Sequence, residues 1–389
     1  MAFDQDLFAR AINEEVTQTS LLRAVPRETV VHQFHRIARG GERLERFDFS
    51  YTAPAWEEGG MDPMTLVFAV QPLATPPTNV HALIGSNGVG KTRLLSNIAR
   101  AVADGSATAE EVGQITNLTG TGPVFTNMVS VASSAFDLLI PVRRANGTQH
   151  AHVTLARGSI HSNDVTPAQR FAQLILGITG ARRDRWHTAL DTLAEADPLL
   201  RDTDILTISR LEPRFITVDV EEAFDRLSSG HKIVLLAVTN LAELVTETTL
   251  VLIDEPETHL HPPLLAAFIR VVSDLLIDRN GVAIIATHSP VVLQETPRKC
   301  VWVLRRSGQV MRAMRPTIET FGENVGILTH EAFGLEVTRS GFHRDLERAV
   351  NEGLAYDQVV ERFGGELGSE AKSLVRVLIS VRDRRERLS

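Results

Sequence analysis

The chain has 389 residues, of which 43% are apolar and 23% are charged, and its formal net charge is -8. This length can bury a large core and predicts two or three domains, or one large domain with an inserted lobe. The composition is typical of a globular protein, and the negative charge excludes a global basic field that would collect nucleic acid. Nucleic acid would therefore need a local cationic patch or a partner.

Cysteine usage and hydropathy predict a cytoplasmic protein. The single cysteine, Cys300, excludes an intrachain disulfide framework and lies in an apolar run that predicts a buried strand thiol. The acidic start, residues 1–6, lacks the pattern of a signal peptide, and polar residues interrupt the apolar segment 233–245. We therefore expect no membrane span.

Residues 1–64 are predicted to form a polar helical arm followed by a β-rich entry. Segments 29–34 and 46–51 alternate like strands and are separated by a glycine turn. Tyr51, in the second of these, either stacks on adenine or belongs to the core. A further strand is predicted at 65–70, where the first part of the central domain, 65–138, begins.

A complete G-x-x-x-x-G-K-[ST] motif follows the apolar run 81–84 and precedes helical spacing at 93–98. Its residues are Gly85, Ser86, Asn87, Gly88, Val89, Gly90, Lys91 and Thr92. The glycines let the backbone N–H groups turn inward, Lys91 can reach the outer phosphates, and the Thr92 hydroxyl can hold magnesium. The motif predicts a site for ATP and Mg²⁺.

The middle of the chain is predicted to hold an inserted, compact helical lobe at 139–225. Residues 105–122 have loop composition and 128–132 form a predicted strand. The pattern then becomes helical to about residue 211, with amphipathic segments at 167–176 and 186–200. Sustained heptads are missing, so a long coiled coil is not expected.

A second anion site is predicted at Leu227-Ser228-Ser229-Gly230-His231, before the apolar segment 233–245. Hydroxyls, backbone donors and the helix dipole at Ser228, Ser229 and Gly230 can bind phosphate; the alternative is an ordinary serine cap. This turn lies far from Gly85 to Thr92 in sequence. Two chains arranged head to tail would place each ATP between the phosphate loop of one and the serine turn of the other.

Two further strand ends carry polar residues. The apolar run 249–253 leads to Asp254 and Glu255, and the run 281–287 leads to His288. We expect Asp254 to hold magnesium, Glu255 to activate the attacking water, and His288 to bond the γ-phosphate. A structural acidic pair is the alternative, but it would leave two charges at an apolar strand end without a partner. Strands alternating with helices predict an α/β sheet.

The region 313–389 is predicted to be helical. Spacing indicates one helix over 343–363 and another over 369–387, with Leu374, Val377, Leu378 and Val381 on one face. The basic end of the last helix is either a solvated helix end or a surface for a partner or nucleic acid.

Taken together, the phosphate loop, the serine turn, the Asp254-Glu255 pair and His288 resemble the Walker A, signature, Walker B and switch motifs of ABC-type ATPases. The resemblance covers about residues 65–305 and implies an ABC-type α/β head with a mixed sheet, whose second part spans 226–312. The signature departs from the transporter pattern Leu-Ser-Gly-Gly-Gln at Ser229 and His231, and His261 stands where many relatives carry the D-loop aspartate. Segment 133–137 takes the place of the Q-loop, without a glutamine.

Within these ATPases, runs 254–262 and 286–290 look like the RecF and OLD-related branch. Segments 321–326 and 333–335 are similar to ATPase subunits of Septu-type antiphage systems, some of them attached to retrons. This implies a slow regulatory ATPase that forms a homodimer or higher oligomer and serves a separate HNH nuclease. One alternative is a RecF-like repair ATPase that binds DNA or RNA directly, through a patch such as the arginines of 182–185; another is a transporter subunit, which the signature and tail disfavour.

Overall fold

The computed structural model describes residues 10–11, 13–14, 16–21, 44–55, 63–120, 123–132, 149–154, 165–209, 217–308, 310–334 and 341–386. The chain divides into two compact units, Met1–Glu323 and Asn324–Ser389. The predicted strand at 29–34, the Q-loop segment 133–137 and residues 335 and 387 lie outside the described residues. Within the described ranges, no helix combines the length and apolarity needed to span a bilayer.

Among the described residues of the first unit, ten strands form two sheets. They are β1 Phe47–Thr52, β2 Thr65–Val70, β3 Val80–Ile84, β4 Gln114–Asn117, β5 Asn127–Ala132, β6 Gln149–Thr154, β7 Thr249–Asp254, β8 Val282–Thr287, β9 Val301–Ser307 and β10 Val310–Met314. Seven form one sheet in the order β10-β9-β3-β8-β7-β5-β6. All its neighbouring strands are parallel except β9 and β10. The sheet is therefore mixed, which confirms the predicted α/β class.

The other sheet is antiparallel, in the order β2-β1-β4. Phe49 of β1 stacks on Phe68 of β2, with ring centroids 4.9 Å apart, and both rings belong to a cluster that includes Leu95 and Ile98. Tyr51 is fully buried in the same cluster, and its hydroxyl donates to the Val112 carbonyl at 2.7 Å. Tyr51 is thus a core residue, and the adenine-stacking alternative is wrong.

Along the chain, the described helices of the first unit alternate with its strands or lie between β6 and β7. They are α1 Lys91–Ala103, α2 Ala109–Val112, α3 Pro167–Gly177, α4 Ala181–Ala196, α5 Pro198–Arg201, α6 Asp204–Ser209, α7 Thr217–Asp225, α8 Ser229–Leu244, α9 Pro262–Ile277 and α10 Pro290–Gln294. Short 3₁₀ turns occupy Pro256–Thr258 and Arg298–Cys300, and a π-helical turn occupies Thr17–Leu21. As expected, α9 begins at paired prolines, whose missing N–H groups need no partner in the first turn.

Two local predictions differ from the structure. Segment 105–122, predicted as loop, contains α2 and strand β4. The lobe prediction included 149–154 in a helical stretch, but these residues form β6, which pairs in parallel with β5. His150 and His152 obscure the alternation of this strand, and its pairing with a neighbour distant in sequence decides the backbone conformation.

The second unit contains four helices in its described residues: α11 Val325–Phe333, α12 Phe342–Asn351, α13 Tyr356–Arg362 and α14 Ser369–Glu386. The single helix predicted over 343–363 is two helices, because the chain turns at Gly353 with a φ of 88°. In α14, Ala371 and Val375 enter the core of this unit, whereas Val377 and Val381 are 58% and 44% exposed. The predicted apolar face of that helix was therefore only partly correct.

Cys300 should be inert toward thiol reagents in the folded protein. The thiol is 1% exposed and burial raises its pKa to about 12, so the reactive thiolate is scarce near neutral pH. We expect an aromatic disulfide reagent at about pH 8 to label the protein much faster after guanidinium unfolding, when the pKa returns to about 8.5. Equal labelling rates in the two states would contradict this burial.

Candidate nucleotide-binding site

The predicted motifs meet at one edge of the seven-stranded sheet. In the parallel register, Ile84 at the end of β3 lies opposite Thr287 at the end of β8, and Asp254 at the end of β7 lies opposite Ala286. The three strands therefore end at the same level, and the chain that follows each one emerges at the same edge. In α/β sheets this edge is the usual place for a ligand.

The phosphate loop requires its glycines for two different reasons. Gly85 passes so close to β9 that an added Cβ would lie 2.6 Å from the Leu304 carbonyl oxygen. Gly88 and Gly90 have φ angles of 78° and 109°, which side chains other than glycine rarely adopt. The Val89 N–H donates to the Ser86 carbonyl at 3.2 Å and closes the turn before α1. One close backbone contact and two backbone angles that favour glycine thus shape the loop.

Lys91 begins α1 and is 4% exposed. Its Nζ donates to the carbonyls of Gly85 and Ser86, at 2.8 and 3.3 Å, and lies 3.8 Å from Glu255 Oε1. Burial lowers the pKa of Lys91, while the carboxylates of Glu255, Glu257 and Asp254 act in the opposite direction. The ammonium therefore spans the loop and faces the acids at the next strand ends.

The other motif residues surround this lysine in sequence. Thr92 lies half-buried in the first turn of α1, and Val89 is buried at 7% exposure. Asn87 and Gly88 are exposed at the outer side of the loop. The exposed loop backbone and the half-buried hydroxyl offer the donor and ligand types that a phosphate and its cation need.

The Asp254-Glu255 pair marks a sharp change of direction. Asp254 is the last residue of β7 and is 1% exposed. Glu255 adopts a φ of 45° and a ψ of 56°, although residues before a proline normally stay extended. Its N–H donates to the Ala286 carbonyl at 2.9 Å, which holds this unusual conformation. Such strain, of about 1–3 kcal/mol, occurs mainly at functional sites.

His288 follows β8 and is held by a residue that the motif analysis did not single out, Glu257. The Glu257 carboxylate accepts from the Thr287 hydroxyl at 2.7 Å and from the His288 N–H at 2.5 Å. The His288 Nδ1 lies 3.0 Å from Glu257 and 3.7 Å from Glu255. The structure thus brings Lys91, Glu255 and His288 together. The signal for Glu257 was its place just after the acidic pair, in the run Asp254-Glu255-Pro256-Glu257.

The serine turn lies at the start of α8. Ser228 caps this helix, since its hydroxyl accepts the His231 N–H at 3.3 Å, and Ser228 and Ser229 are both exposed. An added Cβ on Gly230 would lie 2.8 Å from the His259 carbonyl oxygen. The turn is therefore seated on the segment that follows Glu255. Ser228 therefore acts as a helix cap. Because Ser228 and Ser229 are exposed, the anion site stays a prediction.

The arginine patch of the lobe is interleaved with acids. Arg182 forms an ion pair with Glu243 at 3.0 Å, and Arg279 forms one with Glu247 at 2.9 Å. Burial, together with the charge of Arg279, lowers the pKa of Arg185 to about 10. Carboxylates of the chain itself therefore offset part of the positive charge here.

Comparisons with known proteins point to an ATPase. Residues 171–294 match a family model described as AAA domain, putative AbiEii toxin, Type IV TA system. The chain is 38% identical over 398 residues to protein ea59 of Escherichia phage lambda, a match that covers 95% of this chain and 75% of that protein. Together with the phosphate loop, this family match supports an ATPase domain.

Two solved structures align with most of this chain. One is the ADP conformation of an ATP-binding cassette of an ABC transporter, with 13% identity, a TM-score of 0.39 and coverage of 76% of this chain and 100% of that one. The other is CbiO1 of Clostridium perfringens, part of an ABC transporter complex, with 14% identity, a TM-score of 0.38 and coverage of 76% and 95%. Similarities this low carry no argument about function.

A methyl group at Gly230 should push the serine turn away from the His259 carbonyl. Because the added Cβ would lie 2.8 Å from the His259 oxygen, we expect Gly230→Ala to lower the free energy of unfolding by about 1–3 kcal/mol. The matched control is Gly177→Ala in α3, where nothing lies within 4 Å and the change should be neutral or slightly stabilising. Urea unfolding measures both, and similar midpoints would argue against the close contact.

Proposed function

The chain belongs to the family of protein ea59 of Escherichia phage lambda, and from that premise we propose that it is an ATP-binding and ATP-hydrolysing subunit that regulates a separate effector. One observation carries the proposal. The Glu255 carboxylate lies between Lys91 Nζ, at 3.8 Å, and His288 Nδ1, at 3.7 Å. A lysine that binds phosphate, a carboxylate and a histidine at one sheet edge form the arrangement that hydrolysis of a phosphate anhydride needs.

The phosphate loop and Asp254 would hold ATP and Mg²⁺. In this proposal, the backbone of Gly85 to Gly90 and the Lys91 ammonium bind the phosphates, while the Thr92 hydroxyl and the Asp254 carboxylate hold the magnesium. The site suits this cation, because Mg²⁺ prefers oxygen ligands. The carboxylates of Asp254, Glu255 and Glu257 supply such oxygens, and all three lie near enough to the Lys91 ammonium to raise its pKa. Bound magnesium would neutralise charge on the phosphates.

Glu255 and His288 would carry out the proton chemistry. Glu255 orients and deprotonates the attacking water, since its side chain is 35% exposed at the mouth of the site. His288 donates a hydrogen bond to the γ-phosphate, and its Nδ1 lies 3.0 Å from Glu257 and 3.7 Å from Glu255. Glu257 would fix the backbone of His288 in this position.

We infer that ATP joins two copies of the chain. The exposed Ser228 and Ser229, with Gly230, lie at the start of the long helix α8, where N–H groups and the helix dipole can bind the phosphates of a nucleotide held by a second chain. ATP then stabilises the head-to-tail dimer and hydrolysis releases it. The phosphate loop is half of a site whose other half belongs to the partner.

The proposed biological role is antiphage defence in the bacterial cytoplasm. It rests on the resemblance of runs 254–262 and 286–290 to the RecF and OLD-related branch, and of the later segments to Septu-type subunits. The effector would be an HNH nuclease. The alternative is a RecF-like ATPase that binds DNA directly. It has less support, because Glu243 pairs with Arg182 in the candidate patch.

Glu255→Gln should separate binding from hydrolysis. It removes the base but keeps the size of the side chain, so phosphate release should fall by about 10²–10⁴-fold while binding of a fluorescent ATP analogue persists. Lys91→Ala is the matched control and should abolish binding itself. Normal turnover by the Glu255→Gln protein would exclude Glu255 as the base, and unchanged nucleotide affinity of the Lys91→Ala protein would exclude the phosphate-loop assignment.

Ser228→Arg should prevent dimer closure while sparing ATP binding by the single chain. We place this change in the Glu255→Gln background, in which ATP is hydrolysed slowly and the ATP-bound dimer should accumulate. Light scattering then measures the molecular mass with and without ATP. Thr166→Arg is the control, because Thr166 is also an exposed helix cap, at the start of α3, but outside the proposed interface. An ATP-dependent dimer that survives Ser228→Arg would refute the composite site.

A further inference from the structure

The two departures from the ABC pattern meet at one buried carboxylate. His231 stands where the signature has glutamine, and His261 stands in the D-loop position. The Nε2 atoms of both rings lie close to Asp197 Oδ2, at 2.8 Å for His231 and 3.1 Å for His261. Asp197 is 2% exposed. Residues that look like unrelated substitutions in sequence therefore belong to one contact.

This contact joins three segments of the first unit. Asp197 lies between α4 and α5 of the lobe, where its Oδ1 accepts the Leu199 N–H at 2.9 Å. His231 lies in the first turn of α8, next to Gly230, whose backbone packs on the His259 carbonyl. His261 caps α9 at the end of the segment that begins at Glu255. The carboxylate thus ties the serine turn and the catalytic segment to the lobe.

The three side chains are also a candidate metal site, because one ligand atom from each lies within 4.8 Å of the others. The bond made by the other ring nitrogen of His261 argues against a metal. His261 Nδ1 accepts the Leu264 N–H at 3.2 Å, so in the neutral ring the proton resides on Nε2, the atom that faces Asp197. A metal would need the lone pair of that same atom.

Hydrogen bonds explain why a charge is tolerated at Asp197. Burial raises the pKa of this carboxyl, but the hydrogen bonds from His231, the Leu199 N–H and His261 outweigh it, and the net pKa lies below its usual range. The group is therefore ionised near neutral pH. An ionised acceptor with several donors forms stronger hydrogen bonds than a neutral one, which makes this contact a firm connection.

We propose that Asp197 is a positioning residue that couples the serine turn to Glu255 through His231 and His261. In ABC-type ATPases the D-loop aspartate occupies the position that His261 holds here. In this chain the connection runs within one molecule, so that engagement of the serine turn by a second chain moves the segment that carries Glu255. The inference rests on the proposed ATPase function.

The test compares nucleotide affinity with turnover in three variants. Asp197→Asn retains an acceptor for the Leu199 N–H but turns its NH₂ group toward the two Nε2–H donors. His261→Asn retains a helix cap and His231→Ala retains the backbone turn, and each removes one arm of the contact. We expect kcat to fall at least about fivefold in each, with ATP affinity of the single chain unchanged. Thermal unfolding of each variant is measured first, and the kinetic comparison uses the variants that are folded at the assay temperature.

Two further variants distinguish positioning from a general structural effect. His231→Gln supplies an amide donor to Asp197 and should recover part of the kcat lost in His231→Ala. His259→Ala changes an exposed histidine of the same segment and should leave kcat unchanged. The double variant His231→Ala with His261→Asn should be little worse than either single variant, because both act through one carboxylate.

These measurements distinguish failure of the positioning role from failure of the proposed ATPase function. If the unaltered chain hydrolyses no ATP, the proposed function fails. If it hydrolyses ATP and Asp197→Asn has the same kcat, or the effects of the two histidines add, the positioning role is refuted. Elemental analysis of the purified chain supplies another test: about one equivalent of zinc that Asp197→Asn loses would overturn the hydrogen-bonded contact in favour of a metal site.

Discussion

The parallel pairing of β3, β8 and β7 is the constraint on which the site depends. Each of these strands is buried along its whole length, so a shift in register would disrupt the side-chain packing on both faces of the sheet. With the register held, Ile84, Asp254 and Thr287 end at one level. Glu255 and His288 follow at once from two of these strands, and Lys91 follows the third after the phosphate loop. The few ångströms between their charged atoms therefore depend on the sheet.

Close backbone contacts then refine the positions that the sheet sets. Gly85 passes against the carbonyl of Leu304, and Gly230 passes against the carbonyl of His259. The first contact presses the phosphate loop on β9, and the second seats the serine turn on the segment after Glu255. In both places the absence of a side chain lets two backbones meet, so that loops far apart in sequence hold fixed positions relative to the sheet.

Buried charges and their partners connect the segments of the site. The buried ammonium of Lys91 faces three carboxylates, and one of them, Glu257, also binds Thr287 and the backbone of His288. In a second contact, the buried Asp197 binds His231 and His261. Buried charges require such partners, and here the partners lie far in sequence from the charge they serve. The electrostatic requirement and the mechanical connection between motifs are therefore met by the same residues.

The sequence by itself determined the α/β class, the phosphate loop and the polar ends of the strands, because each depends on neighbouring residues: glycines in a turn, an apolar run, an acid after its last position. Tertiary structure decided the rest. Strand β6, with its two histidines, is a strand because β5 lies beside it. Val377 and Val381 are exposed because the packing partners of α14 lie on its other side. The contact of His231 and His261 with Asp197 joins residues that the chain separates widely, and no local pattern records which distant partner a side chain will meet.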